Sequence, residues 1–321
     1  MSIIERLLKW HAETTSSHSI MAQLLKWRAG TIGSYSVMGH FLRWCAGTIG
    51  GYKIVEEIAE GGMSTIYKAI SHTTHEIVAI KILFPHFTEQ KGRLEKLFAE
   101  KNVEGEMASS LDHPHVIRTY SYGRTRGQYY FIMEYVKGAN LKDMIHLHTE
   151  RLKGHKLDII RQMAQGLNYI HSQGIIHRDI CSKNILVSEN MDIKIIDFGL
   201  AISTSGRYKG LGVRSGTPSY MAPEQIRALE SDERTDIYSF GVTTYELLAG
   251  QPPFRGEDDF ARMQQHLTFE AVPLTRRVPD IPHALEKIVS RAMQKEPNDR
   301  YKSMYDLIYD LEKLDLAEGS L

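Results

Sequence analysis

Residues 52–136 show the alternation of apolar and polar positions that is typical of β-strands. The segment YKIVEEIAEGGMSTIYKAI contains two such stretches around a glycine turn, and HEIVAIKIL, VIRTYSYG and YYFIMEYV add three more. Between them, residues 89–110 carry charged and apolar positions at helical spacing. This part of the chain is therefore predicted to form a small antiparallel sheet with one main helix.

After Gly138 the apolar spacing becomes that of helices, as in DIIRQMAQGLNYIHSQG and TDIYSFGVTTYELLAG, interrupted by two short strands, NILVS and DIKIIDF. We predict an α+β fold of two lobes. A small antiparallel β-rich N-lobe would cover residues 52–136, a larger α-helical C-lobe residues 137–314, and a tail residues 315–321. A cleft between two lobes is where a ligand usually binds.

The first 51 residues carry a tandem repeat. Tryptophans recur every 17 residues within the related strings LLKWHA, LLKWRAGTIGSY and FLRWCAGTIGGY, at Trp10, Trp27 and Trp44. In the first copy, apolar residues at 3, 4, 7 and 8 mark one helical face, and the GTIG segments of the later copies indicate turns. Three interpretations of residues 1–51 stay open: a helical extension that packs on the domain or on a partner, an amphipathic anchor at a membrane surface, or a poorly ordered tail.

Composition narrows the class of protein. The 321 residues include 39 basic and 39 acidic side chains, which gives no support to a nucleic-acid binder. Cys45 and Cys181 are the only cysteines, so we expect a reducing compartment and not a disulfide framework. The sequence has no apolar run of about 18 residues that could span a membrane, and no signal-peptide core. These features predict a cytoplasmic globular protein.

Two features of the β-rich part could contact a phosphate. The glycine turn AEGGMST would let backbone N–H groups approach an anion, although a glycine turn between strands is more often only a hairpin. Lys81 ends the strand VAIK, and its side chain should point away from the apolar layer. A solvated strand lysine is the simpler alternative, so neither feature identifies a site alone.

Three later segments carry carboxylates and an amide. In HRDICSKN, Asp179 could accept or orient a hydroxyl proton, and Asn184 offers an amide oxygen that suits Mg²⁺. Asp197 follows an apolar strand in IIDFG and could hold a metal. GTPSYMAPEQ, residues 216–225, comes next. A structural alternative exists for each alone, such as an Asx turn at Asp179.

In this order, the five segments match the motif set of one family: Gly-rich loop, VAIK, HRD to Asn, DFG and APE. Residues 52 to about 314, four fifths of the chain, resemble a eukaryotic-type (Hanks-type) protein kinase domain. The GGM and YMAPEQ segments resemble the bacterial serine/threonine kinases of that family. The resemblance implies a bilobal kinase-like fold. It also implies transfer of the γ-phosphoryl group of ATP to serine or threonine hydroxyls of proteins, with autophosphorylation, and Mg²⁺ or Mn²⁺ as cofactor.

The resemblance assigns the catalytic roles by position. Lys81 would hold the α- and β-phosphates, and Asp179 would position the acceptor hydroxyl. Asn184 and Asp197 would bind the metal. Lys81 would also pair with a helix glutamate, for which Glu104 has the family's spacing to the following HP. The competing glutamates are Glu100, one turn earlier, and Glu106.

The family also places an ATP pocket between the lobes. The glycine loop would cover the phosphates, Met133 would be the gatekeeper, and the backbone of residues 134–136 would bond adenine. Asn140 would contact the ribose, while Ala79 and Leu186 would enclose the base. The residues assigned to this pocket are Ile58, Gly61, Gly62, Ser64, Ile66, Ala79, Lys81, Met133, Glu134, Val136, Asn140 and Leu186.

The catalytic loop departs from the family at Cys181, where most serine/threonine kinases have a lysine that contacts the γ-phosphate. We hypothesise that Lys183, two residues later, supplies the missing charge. This resembles tyrosine kinases, but Thr217 matches the threonine beside the acceptor hydroxyl in serine/threonine kinases and favours that specificity. Cys181 could be a reactive thiol or simply a small buried residue.

Other residues have structural or regulatory roles by the same resemblance. Glu224 and Arg300 would form a buried ion pair, and Asp236 would hold the backbone of the catalytic loop. Arg178 usually pairs with a phosphorylated residue of the activation segment, residues 197–224. The hypothesised autophosphorylation sites are Ser215 and Thr204.

Two other functions stay open. A pseudokinase could act as a scaffold that binds ATP and partners through the N-terminal repeats, and a small-molecule phosphotransferase could share the catalytic aspartate. The filled catalytic positions argue against the first, and the GTPSYMAPEQ segment argues against the second. The expected partners are protein substrates, with a protein or a membrane surface as the candidate contact of the repeats. No nucleic acid and no transmembrane segment are expected.

Overall fold

The computed structural model describes residues 48–61, 64–84, 103–125, 128–204 and 215–317. One lobe consists mainly of strands and the other mainly of helices, in the chain order that the sequence pattern predicts. The predicted bilobal α+β fold is thus confirmed. The predicted helices of the repeats, Gly62 and most of the predicted helix over residues 89–110 lie outside the described residues.

The small lobe combines six strands and one helix. They are β1 (Thr48–Ile49), β2 (Tyr52–Glu60), β3 (Ser64–Ser71), β4 (Ile77–Leu83), α1 (Val103–Ser109), β5 (Thr119–Thr125) and β6 (Gln128–Glu134). The sheet order is β1-β2-β3-β4-β6-β5, and every neighbouring pair is antiparallel. Hairpins therefore connect most of the strands, as the alternating sequence pattern predicts.

Apolar side chains from alternate strand positions form the core of this lobe. Ile49 is 2% exposed and belongs to that core, although it lies in the third repeat copy. The sheet therefore begins four residues before residue 52, where the kinase-like part was predicted to begin. The core residues are Ile49, Ile54, Tyr67, Ala69, Val78, Ile80, Ile82 and Ile132.

The large lobe is mainly helical. Its helices are α2 (Leu141–His146), α3 (Lys156–Ser172), α4 (Pro223–Ile226), α5 (Glu233–Ala249), α6 (Asp259–Thr268), α7 (Leu274–Arg277), α8 (His283–Ala292) and α9 (Met304–Ala317). Its short strands are β7 (Gly138–Asn140), β8 (Ile175–Ile176), β9 (Ile185–Ser188), β10 (Ile193–Ile195) and β11 (Ile202–Ser203). Within the ranges that the structure describes, no helix has the length and apolar character needed to cross a bilayer.

Helix α5 is the central support of the large lobe. Asp232 caps its N-terminus by accepting a hydrogen bond from the Arg234 N–H, and Gly250, at a φ of 74°, ends it. All residues from 235 to 247 are buried, because neighbouring elements cover the helix on every side. Two of these buried residues, Asp236 and Glu246, are acidic, so each needs polar partners inside the lobe.

A buried ion pair links helix α4 to the segment that follows α8. Arg300 Nη1 and Nη2 donate to Glu224 Oε1 and Oε2, each at 2.8 Å. Arg300 also donates to the backbone carbonyls of Arg234, Gln294 and Lys295. Arg300 is 2% exposed, so these hydrogen-bond partners, and not water, stabilise the charge of its guanidinium. The predicted structural pairing of Glu224 with Arg300 is thus present.

We predict that Arg300→Met lowers the free energy of unfolding by about 3–5 kcal/mol, because it leaves the buried Glu224 carboxylate uncompensated. Urea unfolding followed by circular dichroism measures this change. Arg262→Met is the matched control, since Arg262 pairs with Asp259 at the surface and should cost no more than about 1 kcal/mol. Equal losses in the two variants would contradict the prediction.

Candidate active site

Lys81 lies in the middle of the small-lobe sheet and is 9% exposed. Strand β4 runs between β3 and β6, with Ile66 opposite Lys81 and Met133 opposite Ala79. Residues that lie opposite each other, or two apart on one strand, share a face of the sheet. Ile66, Ala79, Lys81 and Met133 are therefore on one face, as a shared nucleotide pocket requires.

Lys81 joins the two lobes through carboxylates on both sides. Its Nζ lies 2.6 Å from Asp197 Oδ1 and 3.6 Å from Glu104 Oε1. Glu104 belongs to α1, and Glu106 of the same helix is exposed, while Glu100 lies outside the described residues. The structure thus brings Lys81 to the glutamate that the spacing favoured.

Burial and charge act in opposite directions on these groups. Burial alone would lower the pKa of Lys81, but the charges of Asp197 and Glu104 outweigh it and raise the pKa. Burial would raise the pKa of Asp197, and the Lys81 ammonium overcomes this and lowers the pKa to about 2. Burial raises the pKa of Glu104 despite the opposing charge of Lys81. At neutral pH Lys81 is therefore protonated and Asp197 ionised.

One hairpin brings Asn184 and Asp197 to the same place. Asn184 immediately precedes β9, and Asp197 follows β10 by two residues. Ile185 and Ile195 lie opposite each other in this antiparallel pair, and the Ile196 N–H donates to the Asn184 carbonyl at 2.9 Å. The two side chains therefore extend from the same end of the hairpin.

The chemistry of these two residues fits a Mg²⁺ or Mn²⁺ ion. Asn184 Nδ2 donates to the carbonyl and to Oδ2 of Asp179, each at 2.9 Å, so these bonds do not use the amide oxygen. The described ranges contain no group of three or more His, Cys, Asp and Glu side chains that could hold a metal. Two oxygen ligands suit Mg²⁺, which usually keeps waters and substrate phosphates in its coordination shell.

Three hydrogen bonds fix the Asp179 carboxylate. Oδ1 accepts from the backbone N–H of Thr217 at 2.8 Å and from its hydroxyl at 2.7 Å, and Oδ2 accepts from Asn184. Asp179 is only half-buried, so the carboxylate also faces the cleft. The structure therefore joins the catalytic loop to the GTPSYMAPEQ segment at Asp179 and Thr217.

Asp236 holds the backbone next to Asp179. Its carboxylate accepts from the N–H groups of His177 and Arg178 at 2.8 and 2.7 Å and lies 2.9 Å from His171 Nε2. Burial would raise its pKa, but the hydrogen bond and charge of His171 lower it. Arg178 and Asp197 have φ angles of 66° and 69°, a conformation that costs a non-glycine residue about 1–3 kcal/mol. The contacts of Asp236 help to stabilise the backbone at Arg178.

Other predicted pocket residues come from both lobes. Ile58 is 45% exposed on β2, Ala79 is buried, and Leu186 and Val136 are half-buried. The Glu134 N–H donates to the Arg118 carbonyl at 2.9 Å, so this N–H is already engaged within the protein, and the predicted adenine contact of residues 134–136 stays a prediction. In the glycine loop, the Gly61 N–H closes a turn on the Ser64 carbonyl at 2.9 Å.

The structure gives Asn140 a local partner. Its Oδ1 accepts from the Asp143 N–H at 2.8 Å, and its Nδ2 donates to Asp143 Oδ2 at 2.7 Å, so the side chain caps helix α2. Asn140 also lies opposite Leu186 in the pairing of β7 with β9. A ribose contact stays a prediction, and it would use the second N–H or the second lone pair of the Asn140 amide.

Cys181 and Lys183 lie in different environments. Cys181 is fully buried with its Sγ 3.8 Å from the Thr217 hydroxyl, and burial, followed by the charge of Asp179, raises the pKa of its thiol to about 12. Lys183 is exposed and makes no hydrogen bond or ion pair with any residue in the described part of the chain. Its ammonium is therefore available to a ligand.

The two hypothesised phosphorylation sites have different surroundings. Arg178 Nη2 donates to the Ser215 hydroxyl at 2.9 Å. Thr204 instead bonds the Gly174 carbonyl through its N–H at 2.8 Å and its hydroxyl at 3.2 Å. Only Ser215 of these two is thus in contact with an arginine.

Sequence reasoning missed a buried chain of hydrogen bonds beneath the catalytic loop. The Ser182 hydroxyl lies 2.9 Å from the Tyr220 hydroxyl, which donates to Glu246 Oε2 at 2.7 Å. All three residues are buried, and burial, followed by the charge of Glu246, raises the pKa of Tyr220. The sequence feature that could have indicated it is Glu246, an acidic residue within the mostly apolar segment that forms helix α5.

Comparisons with known proteins identify the family to which this chain belongs. Residues 52–308 match the family model described as the protein kinase domain. Serine/threonine-protein kinase PknB of Mycolicibacterium smegmatis is 34% identical over 263 residues, 80% of this chain and 41% of that protein. PknB of Mycobacterium tuberculosis is 32% identical over 270 residues, 82% of this chain and 42% of that protein. The chain belongs to the protein kinase family.

A solved structure supports the fold. The kinase domain of Mycobacterium tuberculosis PknI gives a TM-score of 0.66 at 24% identity and covers 83% of this chain and 96% of that domain. The chain spans about two fifths of the length of the curated relatives that it matches.

We predict that Cys181 resists thiol reagents in the folded protein, because it is buried and its pKa lies near 12. In a Cys45→Ser variant, labelling by a disulfide reagent should be slow at neutral pH and should hardly accelerate up to about pH 9. Urea should make it fast.

The control for this experiment is Lys183→Cys with Cys45→Ser and Cys181→Ala, which places an exposed thiol in the same loop. It should label quickly and faster still as the pH rises through about 8.5. Equal rates at positions 181 and 183 would show that Cys181 is accessible.

Proposed function

We propose that this chain is a serine/threonine protein kinase that moves the γ-phosphoryl group of ATP to protein hydroxyls, including its own. The observation that carries this proposal is the fixed Asp179 carboxylate, which Thr217 and Asn184 hold by three hydrogen bonds. A carboxylate held in this way can orient an acceptor hydroxyl. The kinase family membership supports the same reaction.

The contacts support a role for each residue. Lys81, protonated and flanked by Glu104, would bind the α- and β-phosphates of ATP. Asp179 would orient the acceptor hydroxyl and take its proton. Mg²⁺ or Mn²⁺, held by Asn184 and Asp197, would neutralise charge on the phosphate oxygens.

The proposed nucleotide pocket uses the face of the sheet that carries Lys81. The adenine would lie between Ala79 and Leu186, below Ile58 and in front of Met133. Exposed apolar surface on Ile58 would then become covered, which favours binding of a flat base. The other assigned pocket residues are Gly61, Gly62, Ser64, Ile66, Glu134, Val136 and Asn140.

We assign the positive charge near the γ-phosphate to Lys183. Cys181 is buried and stays a neutral thiol up to about pH 12, so it adds no charge. Lys183 is exposed, and the described residues offer it no acidic partner. A cation without a competing carboxylate is free to bind a phosphate.

The proposed organisation has a kinase N-lobe over residues 52–136, to whose sheet the strand Thr48–Ile49 also belongs, a C-lobe over residues 137–314, an N-terminal extension over the residues before that strand and a tail over residues 315–321. Protein substrates are the expected partners, given the match of GTPSYMAPEQ to the family's docking segment. The scaffold alternative requires inactive catalytic positions. The pairing of Lys81 with Glu104 and Asp197, together with the fixed Asp179, argues against it.

We predict that Asp179→Asn lowers the rate of phosphoryl transfer by about 100- to 10,000-fold, because the variant loses its proton acceptor. Radiolabel transfer from γ-labelled ATP to the chain itself and to a generic basic protein measures this rate. The product should contain phosphoserine or phosphothreonine. ATP binding without any transfer in the wild-type chain would instead favour the scaffold function.

Lys183→Ala should lower transfer by about 10- to 150-fold, the loss expected for one charge-assisted contact to a phosphate. Lys142→Ala is the matched control, because Lys142 is also exposed but lies on helix α2. It should transfer phosphate at the wild-type rate. An unchanged rate in Lys183→Ala would remove the assigned role of Lys183.

Ser215 is the preferred autophosphorylation site, since a phosphate there would lie beside the Arg178 guanidinium. Phosphopeptide mapping of the chain after incubation with ATP should find phosphate on Ser215. Ser215→Ala should remove this phosphopeptide, and Thr204→Val should leave it in place. Mapping that finds no phosphate anywhere in residues 197–224 would contradict this assignment.

A further inference from the structure

The third repeat copy ends inside the small lobe. The repeats align as residues 2–18, 19–35 and 36–52, so the last copy includes β1 and Tyr52, the first residue of β2. In the sheet, Thr48 lies opposite Lys53 and Ile49 opposite Tyr52. One repeat copy therefore supplies the edge strand of this sheet.

Ile49 anchors this edge strand. It is 2% exposed and packs in the core of the small lobe, whereas Thr48 is exposed. Burial of one isoleucine side chain favours docking by roughly 10- to 150-fold. Since β1 has only two residues, the isoleucine contributes most of what holds the strand in place.

Gly50 is the second requirement of the docking site. It has a φ of 56°, and a Cβ at this position would lie 2.9 Å from Ile132 Cδ1. A larger residue would therefore displace the core as well as strain the backbone. Gly51 has a φ of 88°, but no heavy atom lies within 4 Å of a Cβ built there. A docked strand thus needs an isoleucine followed by a residue with little or no side chain beside Ile132, whereas the positive φ angles of Gly50 and Gly51 belong to the tight turn.

The second repeat copy meets both requirements and the first copy meets neither. Residues 31–33 read Thr-Ile-Gly, identical to residues 48–50. Residues 14–16 of the first copy read Thr-Thr-Ser, which provides neither the apolar anchor nor the glycine. Both positions that the structure makes demanding are thus among those at which the first copy differs from the later two.

We infer that the edge-strand site of the small lobe accepts Thr31–Ile32 of the same chain in place of Thr48–Ile49. The extension then docks in two registers, 17 residues apart. Residues 33–51 would form the loop that returns to Tyr52, so Ser34 need not repeat the tight turn of Gly51. This inference does not depend on the proposed catalytic function.

Polymer physics favours exchange within one chain. The free energy of loop closure grows only slowly with loop length, so a longer loop does not forbid the second register. A tethered segment has an effective concentration of about millimolar, far above that of other chains in dilute solution. The second copy of the same chain is therefore favoured over the second copy of another chain.

Cysteine pairs across the strand test this exchange in the full chain. Thr48 and Lys53 are both exposed and lie opposite each other, a spacing that permits a disulfide. Three variants each combine Lys53→Cys with one further cysteine, at Thr48, Thr31 or Thr14, in a Cys45→Ser background. Mild oxidation and mass spectrometry then measure the yield of each intramolecular disulfide.

The decisive comparison uses Ile49→Asp to vacate the site. In that background, the Thr31→Cys pair should give about 10-fold more disulfide than the Thr14→Cys pair. The Thr14→Cys pair measures the cross-linking that occurs without docking, when the chain brings the two cysteines together. Adding Ile32→Asp should reduce the yield to the level of Thr14→Cys. Equal yields at 31 and 14, no effect of Ile32→Asp, or disulfides mainly between chains would each overturn the inference.

A milder background guards against misfolding. Ile49→Ala removes most of the anchor without burying a charge, and the same three cysteine pairs can be compared in it. Thermal unfolding gives an independent measurement: Ile32→Asp should lower the Tm in the Ile49→Ala background and leave it unchanged in the wild-type background. An Ile32→Asp variant with no effect in either background would contradict the second register.

Discussion

The active site depends on one buried negative charge, the carboxylate of Asp236 on helix α5. It accepts hydrogen bonds from the N–H groups of His177 and Arg178, just before Asp179. A buried carboxylate without such partners would be neutralised or would unfold its surroundings. Here the partners keep its pKa low, and in return the charge fixes a backbone that includes Arg178 at a φ of 66°. Asp179 is therefore positioned by the lobe interior as well as by Asn184 of its own loop.

An ion pair connects the large lobe to the small lobe. Lys81 comes from the sheet and Asp197 from the large lobe, and their 2.6 Å contact connects the two lobes. The pair also sets the protonation state of both partners, because each stabilises the charged form of the other. The lobes therefore present a cation and an anion side by side. Phosphate oxygens can bind the first, and a metal ion can bind the second.

The sequence predicted which residues belong to the site better than it predicted the hydrogen-bond partner of each residue. Strand alternation and motif order were enough to predict the places of Lys81 and Asp197, since Lys81 lies on a strand and Asp197 follows one closely. Asn140 shows the limit, because its bonds to Asp143, three residues away, cap helix α2, a role that the motif pattern did not predict. The bonds of Ser182 and Glu246 to Tyr220 were missed, because these residues belong to none of the motifs that located the other site residues, and only the glutamate within an apolar helix pointed to a buried partner. The Ile49 strand was missed because the repeat pattern concealed its place in the sheet.

The cysteine of the catalytic loop follows from the same electrostatics. At position 181 the side chain is fully buried and touches the Thr217 hydroxyl, so a charged group there would have to leave the interior or lose its hydration. A thiol whose pKa lies near 12 avoids that cost and keeps the packing beneath Asp179 neutral. The exposed Lys183, two residues on, can carry a positive charge without desolvation in the free protein. The loop thus places an uncharged, buried side chain at position 181 and an exposed cation at position 183.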